Sequence, residues 1–171
     1  MTAKDFLEKQ IIPDIQSLVR EKPYVAFALI SIGIEFLGKG LQVNKSWDDD
    51  STKASYSFNL AIKKLFSTEY QRYSKDNKLY HSFRCGFAHN LLQKPDIALH
   101  STGDNYIKDG IIHLSCEKVF EDFNSAATKL LREEKYKAKM DHEFFGIYQD
   151  DAHQPYTGST YEQHSRVITS K

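Results

Sequence analysis

The chain has 171 residues and a mass of 19.8 kDa, a length that suits one domain whose core needs no disulfide staple. Its 23 Lys and Arg balance 23 Asp and Glu, and zero net charge excludes a uniformly basic surface for nucleic acid, so any such binding falls to a local patch. Two cysteines, Cys85 and Cys116, make neither a disulfide framework nor a zinc pattern. A polar start from Met1 to Lys9 carries no signal peptide, which points to a reducing cytoplasm. The longest uncharged run, Pro23 to Ile34, has 12 residues, too few to cross a bilayer, and no membrane partner is expected.

Along Lys4 to Arg20, Phe6, Leu7, Ile11, Ile15 and Leu18 recur at spacings of three and four, which predicts an amphipathic helix that Pro13 kinks or divides. Tyr24 to Leu37 is apolar on nearly every side and reads as the central helix, with Gly38 and Gly40 as its stop and Gly33 as a point of close approach. The acidic run Asp48 to Asp50 reads as a solvated loop, and Ser51 as the cap of a helix over Ala54 to Phe66. Another helix is predicted from Lys78, where Leu79, Phe83, Phe87 and Leu91 recur every four residues and should face the central helix.

After Pro95 the pattern changes to two short alternating runs, 97–101 and 111–115, which predict a β-hairpin near 97–115. His100 and His113 fall one on each run, placed to face one another, although two histidines alone define no metal site. Val119, Phe120, Phe123, Ala126, Ala127, Leu130 and Leu131 trace the stripe of a final long helix opening near Cys116 and running to about Ala138. A short amphipathic piece is expected over Asp141 to Tyr148, and residues 149–171 read as a flexible tail. The expected fold is all-α: an antiparallel bundle of about five helices within one domain, 1–148, with the small hairpin inserted before the last long helix.

The segment that carries chemistry is Tyr80 to Asn90, YHSFRCGFAHN. Arg84 and His89 lie five apart and so point about 140° from each other on a regular helix. They converge only if the helix loosens near Gly86 or if a second copy of the helix lies across a two-fold axis. Glu35, set in an apolar run, needs a basic partner, and Arg84 is the first candidate. His81, one turn before Arg84, and Tyr80 and Asn90 beside it border the same region. Between Lys63 and Arg84, six basic residues stand against Glu69 and Asp76, a surplus of four, interleaved with Tyr70, Tyr73 and Tyr80 as candidate surfaces for unpaired bases. Neither a serine-nucleophile nor a phosphate-loop motif is present.

An Arg followed four to six residues later by a His, late in a small antiparallel bundle, resembles the HEPN superfamily, whose active members are metal-independent endoribonucleases assembled as dimers. The resemblance spans about Lys4 to Arg132, with Tyr80 to Asn90 as its motif. It implies catalytic roles for Arg84 and His89, a supporting acid at Glu35, a homodimer, RNA as substrate, no cofactor and no metal, in a bacterial defence or toxin-like setting. Active families usually place a polar residue directly after the Arg; here it is Cys85, and Asn90 follows the His. A non-catalytic HEPN-like dimer that binds a nucleotide, RNA or a protein partner is therefore the second reading, and a purely structural helical dimer is the third.

Overall fold

The computed structural model describes residues 1–49, 51–90 and 92–143, and shows a mostly helical protein with a small sheet. The expected amphipathic piece lies largely outside these residues, and the expected tail wholly so.

The chain stays helical from α1 (Ala3–Phe6) through a π-turn (Leu7–Ile11) into α2 (Ile12–Glu21). Pro13 has no N–H and its ring would clash with the carbonyl one turn back. The wide turn, closed by Ile12 N–H on the Leu7 carbonyl, absorbs this, so Pro13 sits in the first turn of α2 without dividing the segment.

α3 (Pro23–Gly40) is the central helix and packs against α2, α4 (Ala54–Leu65) and α7 (Cys116–Arg132). Gly40 is its last residue, as expected of a stop, whereas Gly38 lies inside it. Gly38 and Gly33 act by close approach: a Cβ on Gly38 would fall 1.8 Å from the Ser57 carbonyl oxygen of α4, and one on Gly33 would fall 2.7 Å from the Phe123 ring of α7. Cys116 Sγ lies 3.4 Å from the Pro23 carbonyl, Gly33 meets Phe123, and Gly40 meets Leu130, so α3 and α7 run in the same direction. The wholly antiparallel arrangement expected of the bundle does not hold for this pair. By length and composition α3 would also suit a membrane span; here half of it is buried inside the protein.

Trp47 closes the far end of α3. Its ring stacks on Phe36 at 4.8 Å and its indole N–H donates to the Lys139 carbonyl at 3.2 Å. Lys139 lies on α8 (Glu134–Met140), a helix separated from α7 by the extended Glu133, so the last long helix stops at Arg132 and not near Ala138. The Lys139 ammonium sits 4.6 Å over the Trp47 ring and donates to the Lys45 carbonyl, and burial pulls its pKa below the usual lysine range. In the acidic loop, Asp49 pairs with Lys45 at 2.9 Å and accepts from Ser51 N–H at 2.8 Å. Ser51 is not the cap of α4, since Lys53 occupies that position without a capping side chain.

The inserted sheet has three strands where a two-stranded hairpin was expected. β1 (Ile97–His100) pairs parallel with β3 (Ile111–Ser115), and β2 (Tyr106–Lys108) pairs antiparallel with β3, giving the order β1-β3-β2. The tight hairpin is β2–β3, turned by Asp109 and Gly110, both with positive φ (51° and 78°), as a two-residue primed turn requires. Ile97, Ile112 and Leu114 point into the core, and Ser115 leads directly into α7 as its N-cap.

Tyr70 and Tyr73 of α5 (Thr68–Tyr73), with Tyr80, are buried, so they cover the core and offer no surface for unpaired bases. The Tyr70 hydroxyl donates to Asp122 at 2.9 Å and accepts from Asn105 at 2.8 Å, joining α5, α7 and the sheet loop. Burial, then neighbouring carboxylates, push Tyr70 and Tyr73 well above the usual phenol range; burial, then a hydrogen bond to Cys85, pushes Tyr80 to about 12. Since unfolded tyrosine titrates near pH 10, the unfolded chain loses these protons first as pH rises. The resulting stability is fully present below about pH 10 and is lost from there upward, through about 12 for Tyr80. Urea unfolding is expected to show a steep alkaline decline above about pH 10 that Tyr70→Phe makes shallower, despite its lower stability at pH 7; equal slopes for the two proteins would refute this.

Candidate functional site

The helix carrying the motif opens at Lys78 and contains a π-turn (Tyr80–Arg84) followed by α6 (Cys85–Asn90). A four-residue spacing overshoots a 3.6-residue turn by about 40° at each step, so a regular helix would rotate Leu79, Phe83 and Phe87 off a common face. The wide turn takes up part of that drift, and all three are buried. Phe83 and Phe87 pack edge-on, and Phe27 and Tyr24 of α3 receive them at 5.8 and 4.9 Å.

The helix loosens one turn upstream of Gly86 and not at it, so this first route to convergence is not met. The wide turn is closed by Cys85 N–H on the Tyr80 carbonyl, which places Tyr80 and Cys85 together rather than Arg84 and His89. At Gly86 the helix is regular. A Cβ there would lie 2.5 Å from the Leu92 carbonyl oxygen, so glycine serves the chain's fold-back, where Leu92 N–H bonds the Gly86 carbonyl at 3.3 Å.

Arg84 finds the partner expected for it. Its Nε donates to Glu35 Oε2 at 2.7 Å, with side-chain exposures of 17% for Arg84 and 14% for Glu35. The guanidinium carbon lies 6.0 Å from the Tyr80 ring centroid, so carboxylate and phenol ring together set the arginine's orientation. Tyr80 is therefore a support beneath Arg84. His81 is exposed and its ring lies 5.4 Å from that of Tyr80, on the border of the site. His89 is exposed, five residues along a regular stretch of helix from Arg84, and does not join the pair within one chain. Asn90 closes α6; its side chain is not among those described.

The large concavities described lie elsewhere. One of 640 Å³ runs along the loop before α4, past Val43, Lys45, Lys53 and Tyr56, and one of 440 Å³ lies on α7 near Asn124 and Arg132. Beside Arg84, α3 presents a stripe of different character: Val25 and Ile32 are 45% and 47% exposed, seven residues apart on one face, with half-buried Ala28 and Leu29 between them. The basic surplus is on the surface, since Lys63, Lys64, Arg72 and Lys75 are all exposed.

Sequence reasoning missed the Tyr80–Cys85 contact. Its only signal was a fourfold spacing that a regular helix does not hold on one face. No protein-family model, curated protein or solved structure matches the chain.

Glu35 compensates a largely buried cation, and the sign of its removal follows. Glu35→Ala is expected to lower stability by about 1–3 kcal/mol, as loss of a hydrogen bond to a charged group does, and Glu35→Gln by less because it keeps the acceptor. Urea unfolding of both variants measures this; a neutral Glu35→Ala would show that the pair is dispensable.

Proposed function

We propose that the chain is a HEPN-like helical protein that binds RNA and cleaves it without a metal ion, acting as a homodimer with Arg84 and His89 as the working pair. The observation that carries this reading is the pairing of Arg84 with Glu35 on a helix whose exposed face carries His89. An arginine held through Nε by a carboxylate is fixed in orientation, and its terminal amino groups are then the donors for phosphate oxygens. Histidine suits the proton transfers: one to take the 2'-hydroxyl proton, one to protonate the leaving oxygen. The charge that builds on phosphorus in the transition state is what the arginine stabilises.

A single chain holds one such histidine, about 140° around the helix from the arginine. A second copy packed on the α3 stripe of Val25 and Ile32 would add its own Arg84 and His89 across a two-fold axis, making one base and one acid. The exposed Lys63, Lys64, Arg72 and Lys75 supply local positive charge that supports binding of a polyanion. This setting is the one in which the resemblance places a cytoplasmic defence or toxin-like ribonuclease.

One observation favours the second reading, a dimeric module that binds RNA, a nucleotide or a protein without cleaving it. The residue after Arg84 is Cys85, turned onto Tyr80, and supplies no polar group toward a phosphate.

The test is cleavage of labelled single-stranded RNA in EDTA. Loss of a general acid or base is expected to slow cleavage about 10²- to 10⁴-fold in His89→Ala, and Arg84→Ala should abolish it. Cleavage equal in wild type and both variants would reject the enzyme. Binding that persists without cleavage and weakens in Arg84→Ala would establish the module instead.

A further inference from the structure

The solvent face of the sheet holds a second chemical cluster, apart from the Arg84 region. Register places Ala98, His113 and Tyr106 side by side across the three strands, with His100 two residues along β1 from Ala98 and therefore on the same face. Ile97, Ile112 and Leu114 occupy the opposite, core-facing side. His100 Nε2 and His113 Nδ1 are 2.8 Å apart, with the two rings only 13° from parallel. Tyr106, 43% exposed, lays its ring over His113 at 4.3 Å and 9°.

The two strands bring these nitrogens together from 13 residues apart in sequence, and the rings are held from two sides. The backbone register fixes their Cβ atoms, and the Tyr106 ring restrains His113. Only one proton fits between the two nitrogens, and moving it to the far nitrogen of its own ring frees both facing lone pairs. Nitrogens bound at about 2.0–2.1 Å to one cation and at right angles to each other lie about 2.9 Å apart. The observed 2.8 Å is close to that separation, and turning the exposed His100 ring and the half-buried His113 ring outward aims both lone pairs at one point on the solvent side.

We propose that His100 and His113 form a surface chelating site for a late first-row divalent cation, with water completing the coordination. Imidazole ligands of this kind suit Cu²⁺, Ni²⁺ and Zn²⁺, and the order of affinity should place Cu²⁺ first. The site bridges β1 to β3, so an occupied site ties the first strand of the insertion to the strand that leads into α7. It is independent of the ribonuclease reading, since neither Arg84 nor His89 takes part.

The experiment uses the untagged full chain titrated with CuCl₂ and with NiCl₂, followed by calorimetry and by the nitrogen splitting of the Cu²⁺ electron paramagnetic resonance spectrum. One equivalent should bind with two nitrogen ligands, and both His100→Gln and His113→Gln should weaken binding at least tenfold, whereas His89→Ala leaves it unchanged. Tyr106→Leu should weaken it less, by loosening His113. Because the replaced side chains lie on the solvent face, circular dichroism of the variants should match wild type. Binding that is absent, or that persists at full strength in the His100→Gln/His113→Gln double variant, would overturn the proposal.

Discussion

The structure depends on how closely its neighbours approach α3. At Gly38 the carbonyl of Ser57 occupies the space where any other residue would carry a Cβ, and at Gly33 the Phe123 ring does the same. Glycine inside a helix costs up to about 1 kcal/mol in propensity, and here that cost is offset by the dispersion contacts of helices packed nearly backbone to backbone. Everything else is arranged around this enclosure. α2 and the motif helix take further sides of α3, α7 runs alongside it in the same direction, and Trp47 with Lys139 closes its end.

The enclosure is incomplete along one stripe, and the candidate site stands at its edge. Glu35 belongs to α3 and Arg84 to the helix packed on it, so the ion pair is a direct consequence of that packing. Burial would make either charge costly alone, and each is the other's compensation. The same packing explains why His89 is separate: after the π-turn the helix is regular, and a regular helix turns the histidine away from the arginine. The proposed dimer answers that separation by drawing Arg84 and His89 from two chains.

Much of this was legible from residue spacing. The apolar run of α3, the start of α7 at Cys116, the helix opening at Lys78 and the Glu35–Arg84 pair all follow from periodicity and the cost of burying charge. The facing of His100 and His113 was legible too, although through a different topology: parallel pairing of β1 with β3 depends on contacts across the loop that holds β2, which alternation along a strand does not encode. Gly40 does end α3, but Gly38, read with it as part of the stop, serves a close crossing, because glycine suits both uses and only the partner helix decides between them. The π-turns were hidden for a related reason. Each resolves a conflict, at Pro13 with the missing donor and at Phe83 with the drifting apolar row, and the sequence states the conflict without stating its resolution. Tyr70, Tyr73 and Tyr80 read as possible RNA contacts because a phenol suits both a wet surface and a core with a polar partner; Asp122 and Asn105 are such partners for Tyr70.

The central claim is that the working centre needs Arg84 and His89 from two chains at once. Its most direct test is to mix wild-type protein with His89→Ala in varying ratio, allow subunits to exchange, and follow RNA cleavage in EDTA at constant total protein. If both histidines of a dimer are required, activity follows the square of the wild-type fraction, falling to about one quarter at an equal mixture of a two-fold dimer. Activity that falls in simple proportion, to about one half, would mean that each chain works alone. That result, or a wild-type protein that leaves RNA intact, would contradict the account.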